Sequence, residues 1–113
     1  MKIERYRFGE MVIDGQTYHR DLILLPDKVI QNWRRREGHR LILDDIGMIP
    51  LSHIECLIIG TGKFGMMKVD EQVCHKMTDI GIECFVEITD KAVKMFDSVA
   101  NTKKVAAAFH LTC

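Results

Sequence analysis

The rhythm of hydrophobic and polar positions changes near the middle of the chain. From Ile3 to Phe8 the period is two, with Ile3, Arg5 and Arg7 on one face and Glu4, Tyr6 and Phe8 on the other, which predicts a strand that Gly9 ends. Met11-Val12-Ile13, Asp14-Gly15 and Gln16-Thr17-Tyr18 form a hairpin signature, because Asp-Gly supplies the positive φ angles of a type I′ turn. Asp21 to Leu25 is an apolar strand stopped by Pro26, and Val29 to Arg34 fits either a further strand or a short helix. Leu41 to Leu43 makes a short strand. Asp44 or Asp45 then caps one helical turn to Met48, before Pro50 forces an exit.

The second half reads strand, helix, strand, helix, strand. Cys56 to Ile59 is apolar on both faces, the mark of a central strand covered on each side, and it leads into Gly60-Thr61-Gly62. Asp70 is placed to cap a helix over residues 71–80, with Val73, Met77 and Ile80 inward and Gly81 at its end. Ile82 to Ile88 is a second strand. Thr89 or Asp90 starts a helix that turns Ala92, Val93, Phe96, Val99 and Ala100 inward, and Val105 to Leu111 is the last strand. This alternation predicts an α/β domain with a largely parallel sheet and an antiparallel subsheet built by the N-terminal strands. No linker, repeat or low-complexity segment divides residues 1–113, so one domain is expected.

Composition adds boundaries to this picture. Sixteen Lys and Arg balance sixteen Asp and Glu, which argues against a general affinity for nucleic acid or anionic membrane. The N-terminus lacks the apolar stretch of a signal peptide, and no apolar run approaches the roughly 18 residues of a membrane span. A cytoplasmic chain is expected, its four cysteines reduced by default. If the strands of Cys56 and Cys84 are parallel neighbours, however, the two thiols sit at one level and a disulfide between them is geometrically conceivable.

Several marks recur together. The strand leading into Gly60-Thr61-Gly62, the Gly81-Ile82 strand entry, the Thr89-x-x-Ala92 helix start and the closing His110-Leu111-Thr112-Cys113 resemble a small single-domain family of unknown molecular function, spread from archaea and bacteria to mammals. Its mammalian relatives include mitochondrial complex I assembly factor 3 and an adipogenesis-associated protein. The resemblance implies a three-layer α/β fold: a central mixed sheet of about five strands, helices on one face, and a small β-layer with a further helix on the other. It also implies one antiparallel strand in that sheet, the last one, where the alternation of elements alone suggests parallel. It brings no catalytic residues.

Chemistry has few places to sit. The segment from Gly60 to Val69 follows the carboxyl end of a central strand and leads to a helix, a common ligand position in α/β sheets. Gly60, Thr61, Gly62 and Lys63, with Arg34 and Arg35, are the candidate anion pocket. Gly-Thr-Gly-Lys-Phe-Gly matches no nucleotide-binding motif, and a tight exit from a buried strand is the plainer role for its glycines. Phe64, Met66 and Met67 are either a partner-binding surface or core residues folded over the sheet edge.

Trp33-Arg34-Arg35-Arg36 with His39 and Arg40 is the dense basic run, read as a solvated face with Trp33 packed beneath or as the edge of a protein interface, ahead of a nucleic-acid contact. His19, His39, His53, His75, His110 and the cysteines show no zinc-ligand spacing, and Ser52 and Ser98 lie outside any nucleophile motif. No cofactor is implied. The leading expectation is a non-enzymatic interaction or assembly module with a protein partner, a second copy included. The alternative is a protein, enzymes included, that binds a small molecule or anion at the Gly60–Gly62 loop.

Overall fold

A computed structural model describes residues 1–113. In chain order its elements are β1 (Ile3–Arg7), β2 (Glu10–Ile13), β3 (Gln16–Tyr18), β4 (Leu22–Leu24), β5 (Val29–Gln31), β6 (Arg40–Leu41), two 3-10 turns (Leu43–Ile46 and Leu51–His53), β7 (Cys56–Thr61), β8 (Lys68–Val69), α1 (Glu71–Asp79), β9 (Glu83–Glu87), α2 (Thr89–Val99) and β10 (Val105–His110). The apolar segments of the second half supply the middle of a five-stranded mixed sheet in the order β5-β4-β10-β7-β9. β7 and β10 are buried along their whole length, as strands covered on both faces must be.

Strand direction follows from the connections. β7, β9 and β10 are parallel, and β10 pairs with β7 from Val105 opposite Cys56 to His110 opposite Thr61. The last strand is therefore not the antiparallel one, contrary to what the family resemblance implied. A helical crossover returns the chain to the same end of the sheet, so α2 delivers β10 parallel. β4 runs against β10, with Leu22 opposite Phe109, and β5 folds back on β4 as a hairpin.

The two crossovers move in opposite directions, from β7 out to β9 and from β9 back past β7 to β10. Right-handed connections then place α1 and α2 on opposite faces. One face packs Ile23, Leu57, Ile59, Ala106 and Ala108 against Val73 and Met77 of α1, with Trp33, Ile46 and Met67 joining them. The other packs Leu22, Leu24, Ile58, Ala107 and Phe109 against Ala92 and Phe96 of α2 and against Ile3, Met11 and Ile13 of the three-stranded sheet β1-β2-β3. Each fully buried Leu, Ile or Phe contributes about 1.5–3 kcal/mol of transfer free energy to these layers.

Local signals account for the boundaries. Asp14 and Gly15 both have positive φ, 48° and 80°, as a type I′ turn requires. α1 ends in a Schellman arrangement: Gly81 takes φ 80°, its N–H donates to Thr78 O, and the Ile82 N–H donates to Met77 O at 2.8 Å. Ile80 is 44% exposed rather than inward, because the helix ends at Asp79 and the chain unwinds at the cap. A bulge between Ile3 and Arg5 shifts the phase of β1, so Ile3 and Tyr6 both reach the core despite an odd separation.

The disulfide joins Cys74 of α1 to Cys84 of β9, and Cys56 is a buried free thiol. The Cys56–Cys84 pairing fails by one residue of register. β7 and β9 are parallel neighbours, but Cys84 lies opposite Leu57, so its side chain faces the α1 layer while Cys56 faces the α2 layer.

Candidate functional site: an open arginine crevice beside a closed glycine loop

The two regions flagged in the sequence lie at the same end of the sheet, outside the carboxyl ends of the parallel strands. Connections leave β7 and β9 toward opposite faces, which makes their junction the topological switch point where α/β proteins commonly hold ligands. Here that junction is filled by the chain itself. Gly60 and Thr61 belong to β7 and are buried, not part of a loop. The Gly62 N–H donates to Thr89 Oγ1 at 2.9 Å, and that hydroxyl donates to His110 O at 2.7 Å.

Residues 111–113 lie across the loop. The Lys63 N–H donates to Thr112 O at 2.7 Å and the Met66 N–H to Cys113 O at 2.9 Å, while those of Gly65 and Met67 donate to Gly62 O and Thr61 O. A Cβ on Gly62 would come within 2.4 Å of the Cys113 backbone, and the residue has φ 106°, so only glycine fits. The Lys63 ammonium sits 3.0 Å from Asp90 and over the Tyr6 ring. Tyr6 donates its hydroxyl to Leu111 O, and its pKa is pushed up to about 12 by burial and by the nearby Asp90 charge. The amides of Gly62, Lys63, Gly65, Met66 and Met67 are thus engaged inside the chain.

The loop divides its own apolar residues. Met67 is buried, 1% exposed, in the α1 layer and belongs to the core. Phe64 and Met66 face outward at 70% and 51% exposure. Phe64 meets Phe8 at 6.1 Å between ring centroids, and Ile88 abuts Gly65, so the exposed Phe8 and Ile88 lie beside a loop that also exposes Phe64 and Met66.

The basic run builds a different kind of region. Trp33 is buried, its backbone N–H donating to Asp21 O and its indole N–H to Asp45 O, both at 2.8 Å. Asp45 also accepts from the Arg36 and Ile42 N–H groups, which pins residues 33–36 to the first 3-10 turn. Arg34 then points out, while Arg35 lies over the Trp33 ring, 4.7 Å from its centroid. Asp21 Oδ2 binds both Arg35 Nη2 and His110 Nδ1 at 2.8 Å, and its Oδ1 accepts the Leu111 N–H. Burial alone would raise the Asp21 carboxyl, but the hydrogen bonds from His110, Leu111 and Arg35 outweigh it and hold the group below its usual range. His110 Nε2 is enclosed without a partner, and the contact of His110 and Leu111 with Asp21 anchors the C-terminal strand to the β3–β4 connection.

Between the β3–β4 connection and residues 32–38 opens a crevice of about 580 Å³, lined by His19, Arg20, Asn32, Arg34, Arg35 and Thr112, with Trp33 as its one hydrophobic residue. Arg34 and Arg35 line it; Gly60, Gly62 and Lys63 do not. The two sequence-flagged regions meet through His110, which touches Arg35 on one side and the space above Gly62 on the other, and through Thr112, which lines the crevice and accepts the Lys63 N–H.

A family model matches residues 3–110, described as a protein of unknown function, DUF498/DUF598. The chain belongs to this family. Among solved structures similar to this DUF498/DUF598 protein, a conserved hypothetical protein from Pyrococcus horikoshii is 26% identical with TM-score 0.84 over 100% of both chains. An outer membrane protein from Bartonella henselae is 22% identical, with TM-score 0.81 over 98% of this chain and 94% of the other. A Bordetella pertussis protein described as a Mth938-like domain is 13% identical with TM-score 0.64 over 97% of this chain and 85% of the other. No match to a curated protein was found. No helix of the DUF498/DUF598 chain is long and apolar enough to cross a membrane.

His19, Arg20, Asn32 and Asp21 were not legible as site residues, because the β3–β4 connection and residues 32–38 are brought together by tertiary pairing alone. Two hints existed in retrospect. Asp21 abuts an apolar strand, and His110 interrupts the run Ala106-Ala107-Ala108-Phe109-His110-Leu111, where a buried polar group demands a partner.

Proposed function

We propose that this DUF498/DUF598 protein is a single-domain, non-enzymatic interaction or assembly module of the cytosol that docks a protein partner on the patch of Phe8, Phe64, Met66 and Ile88. One observation carries the reading: two outward-facing phenylalanines in mutual contact stand beside a loop whose backbone is held in place. Exposed aromatics are among the side chains that often dominate binding energy at interfaces. A loop with its amides already bonded loses little freedom on docking, which favours affinity. The resemblance to relatives that include a complex I assembly factor points the same way.

The test is affinity capture from native cytosol with the wild type and with Phe8→Ser/Phe64→Ser, alongside light scattering of the purified chain. The expected outcome is a partner recovered by the wild type and lost by the variant. A wild-type dimer that the variant splits identifies the partner as a second copy. Identical partners and identical mass for both proteins would sink the proposal.

A further inference from the structure

We propose that the crevice beside Arg34 is a binding site for a compact, non-aromatic organic oxyanion carrying two or more negative charges, a chemistry shared by phosphate monoesters and polycarboxylates. The inference is independent of the apolar patch. It rests first on charge: Arg20, Arg34 and Arg35 all line the crevice, and its one carboxylate, Asp21, is already satisfied by Arg35, His110 and the Leu111 N–H. A chain of zero net charge therefore concentrates cations at one concave place. Arg20 and Arg34, like Arg36 outside the crevice, form no ion pair, whereas Arg5, Arg7, Arg35 and Arg40 do.

Arg35 adds a second, separate observation. Its side chain is 4% exposed and fixed by Asp21, Gly38 O and the Trp33 face, yet Nη1 has no hydrogen-bond partner. A buried charged donor without an acceptor is rare, and Arg35, which carries this one, is a residue of the crevice lining. Asn32, also in the lining, holds φ 57°, an uncommon angle for a residue with a side chain, which turns the backbone so that Trp33 is buried and Arg34 faces the opening.

The shape narrows the ligand. A volume of about 580 Å³ is that of a small-molecule site and exceeds what a bare phosphate fills. Trp33 is the aromatic of the lining apart from the His19 imidazole, and Arg35 already covers its face, so the indole is not free to stack on a nucleobase. Asn32, His19 and Thr112 offer polar contacts for a hydroxylated or carboxylated body.

The test is a two-dimensional amide NMR titration at constant ionic strength with glycerol 3-phosphate, citrate and, as neutral control, glucose. The expected result is saturable shifts confined to residues 19–21, 32–38 and 112 with either anion and none with glucose. Arg20→Ala/Arg34→Ala should weaken binding by about tenfold or more, as loss of charge-assisted hydrogen bonds does, while Lys91→Ala on the exposed face of α2 leaves it within about twofold. Preference for glycerol 3-phosphate assigns a phosphate ester, and preference for citrate a polycarboxylate. If the double variant loses its dispersed spectrum, Arg34→Gln alone takes its place. Absence of saturable shifts with both anions, shifts that survive the arginine substitutions, or equal weakening by Lys91→Ala would overturn the proposal.

Discussion

The glycine loop and the arginine crevice occupy the same end of one sheet and have opposite fates. At Gly62 the switch point of the fold is closed: Thr89, Thr112 and Cys113 take up backbone N–H groups that a ligand would need. At Arg34 the chain stays open, with exposed cations around a cavity and one buried guanidinium nitrogen left over. What separates a site from a structural turn is whether its polar groups already have partners inside the protein. A motif in the sequence names the groups but not their partners.

That contrast can be broken from either side. The largest effect is expected at the joint between the regions. Asp21→Asn leaves the buried Arg35 charge uncompensated and should cost about 3–5 kcal/mol in denaturant unfolding, as removal of one partner of a buried pair does. The same carboxylate sets an acid limit. Its pKa is lowered in the folded chain from an ordinary 3.8, so its stabilisation is fully present well above pH 4 and is lost as pH falls through 3.8 toward the folded value. Wild type should therefore lose stability as pH falls through and below 3.8, and Asp21→Asn should show a flatter profile there. Identical slopes would separate Asp21 from the stability of this end.

Closure of the loop comes next. Gly62→Ala forces a methyl group against the Cys113 backbone at a φ that alanine rarely adopts, and should cost about 2–4 kcal/mol by the same measurement. A cost below about 0.5 kcal/mol, the level of an ordinary surface change, would mean that residues 111–113 do not close the loop. The bridge between α1 and β9 is a smaller effect away from both regions: Cys74→Ser should lower stability by about 2–3 kcal/mol, the worth of closing a loop of this length. Reductant before alkylation should reproduce that loss in the wild type. The smallest change is expected at Arg34→Ala, within about 0.5 kcal/mol, because its side chain is exposed and supports no neighbour by an ion pair.

Much of the fold was legible because its signals are local. Asp14-Gly15 dictates its turn, Asp70 and Gly81 bracket α1, and the doubly apolar Cys56–Ile59 announces a central strand. The unread features are those that need two distant segments. Register decides which face a cysteine takes, so Cys84 met Cys74 and not Cys56. The partner of His110 is 89 residues earlier in the chain, at Asp21. Met67 and Phe64 look alike in a glycine-rich stretch, but the Met67 N–H bond to Thr61 turns one inward while the other stays in solvent. Arg34 and Arg35, singled out for an anion pocket with the Gly60–Lys63 segment, line a cavity without it, because that segment is closed by the chain's own last residues.

Amide hydrogen exchange tests the contrast most directly. The closed loop predicts that the Gly62, Lys63 and Met67 amides exchange about a thousandfold or more slower than in an unfolded peptide, since each is bonded within the core of this end, while the Arg34 amide exchanges close to the unfolded rate. Exchange of Gly62 and Lys63 as fast as that of Arg34 would show the loop to be open and would contradict the account.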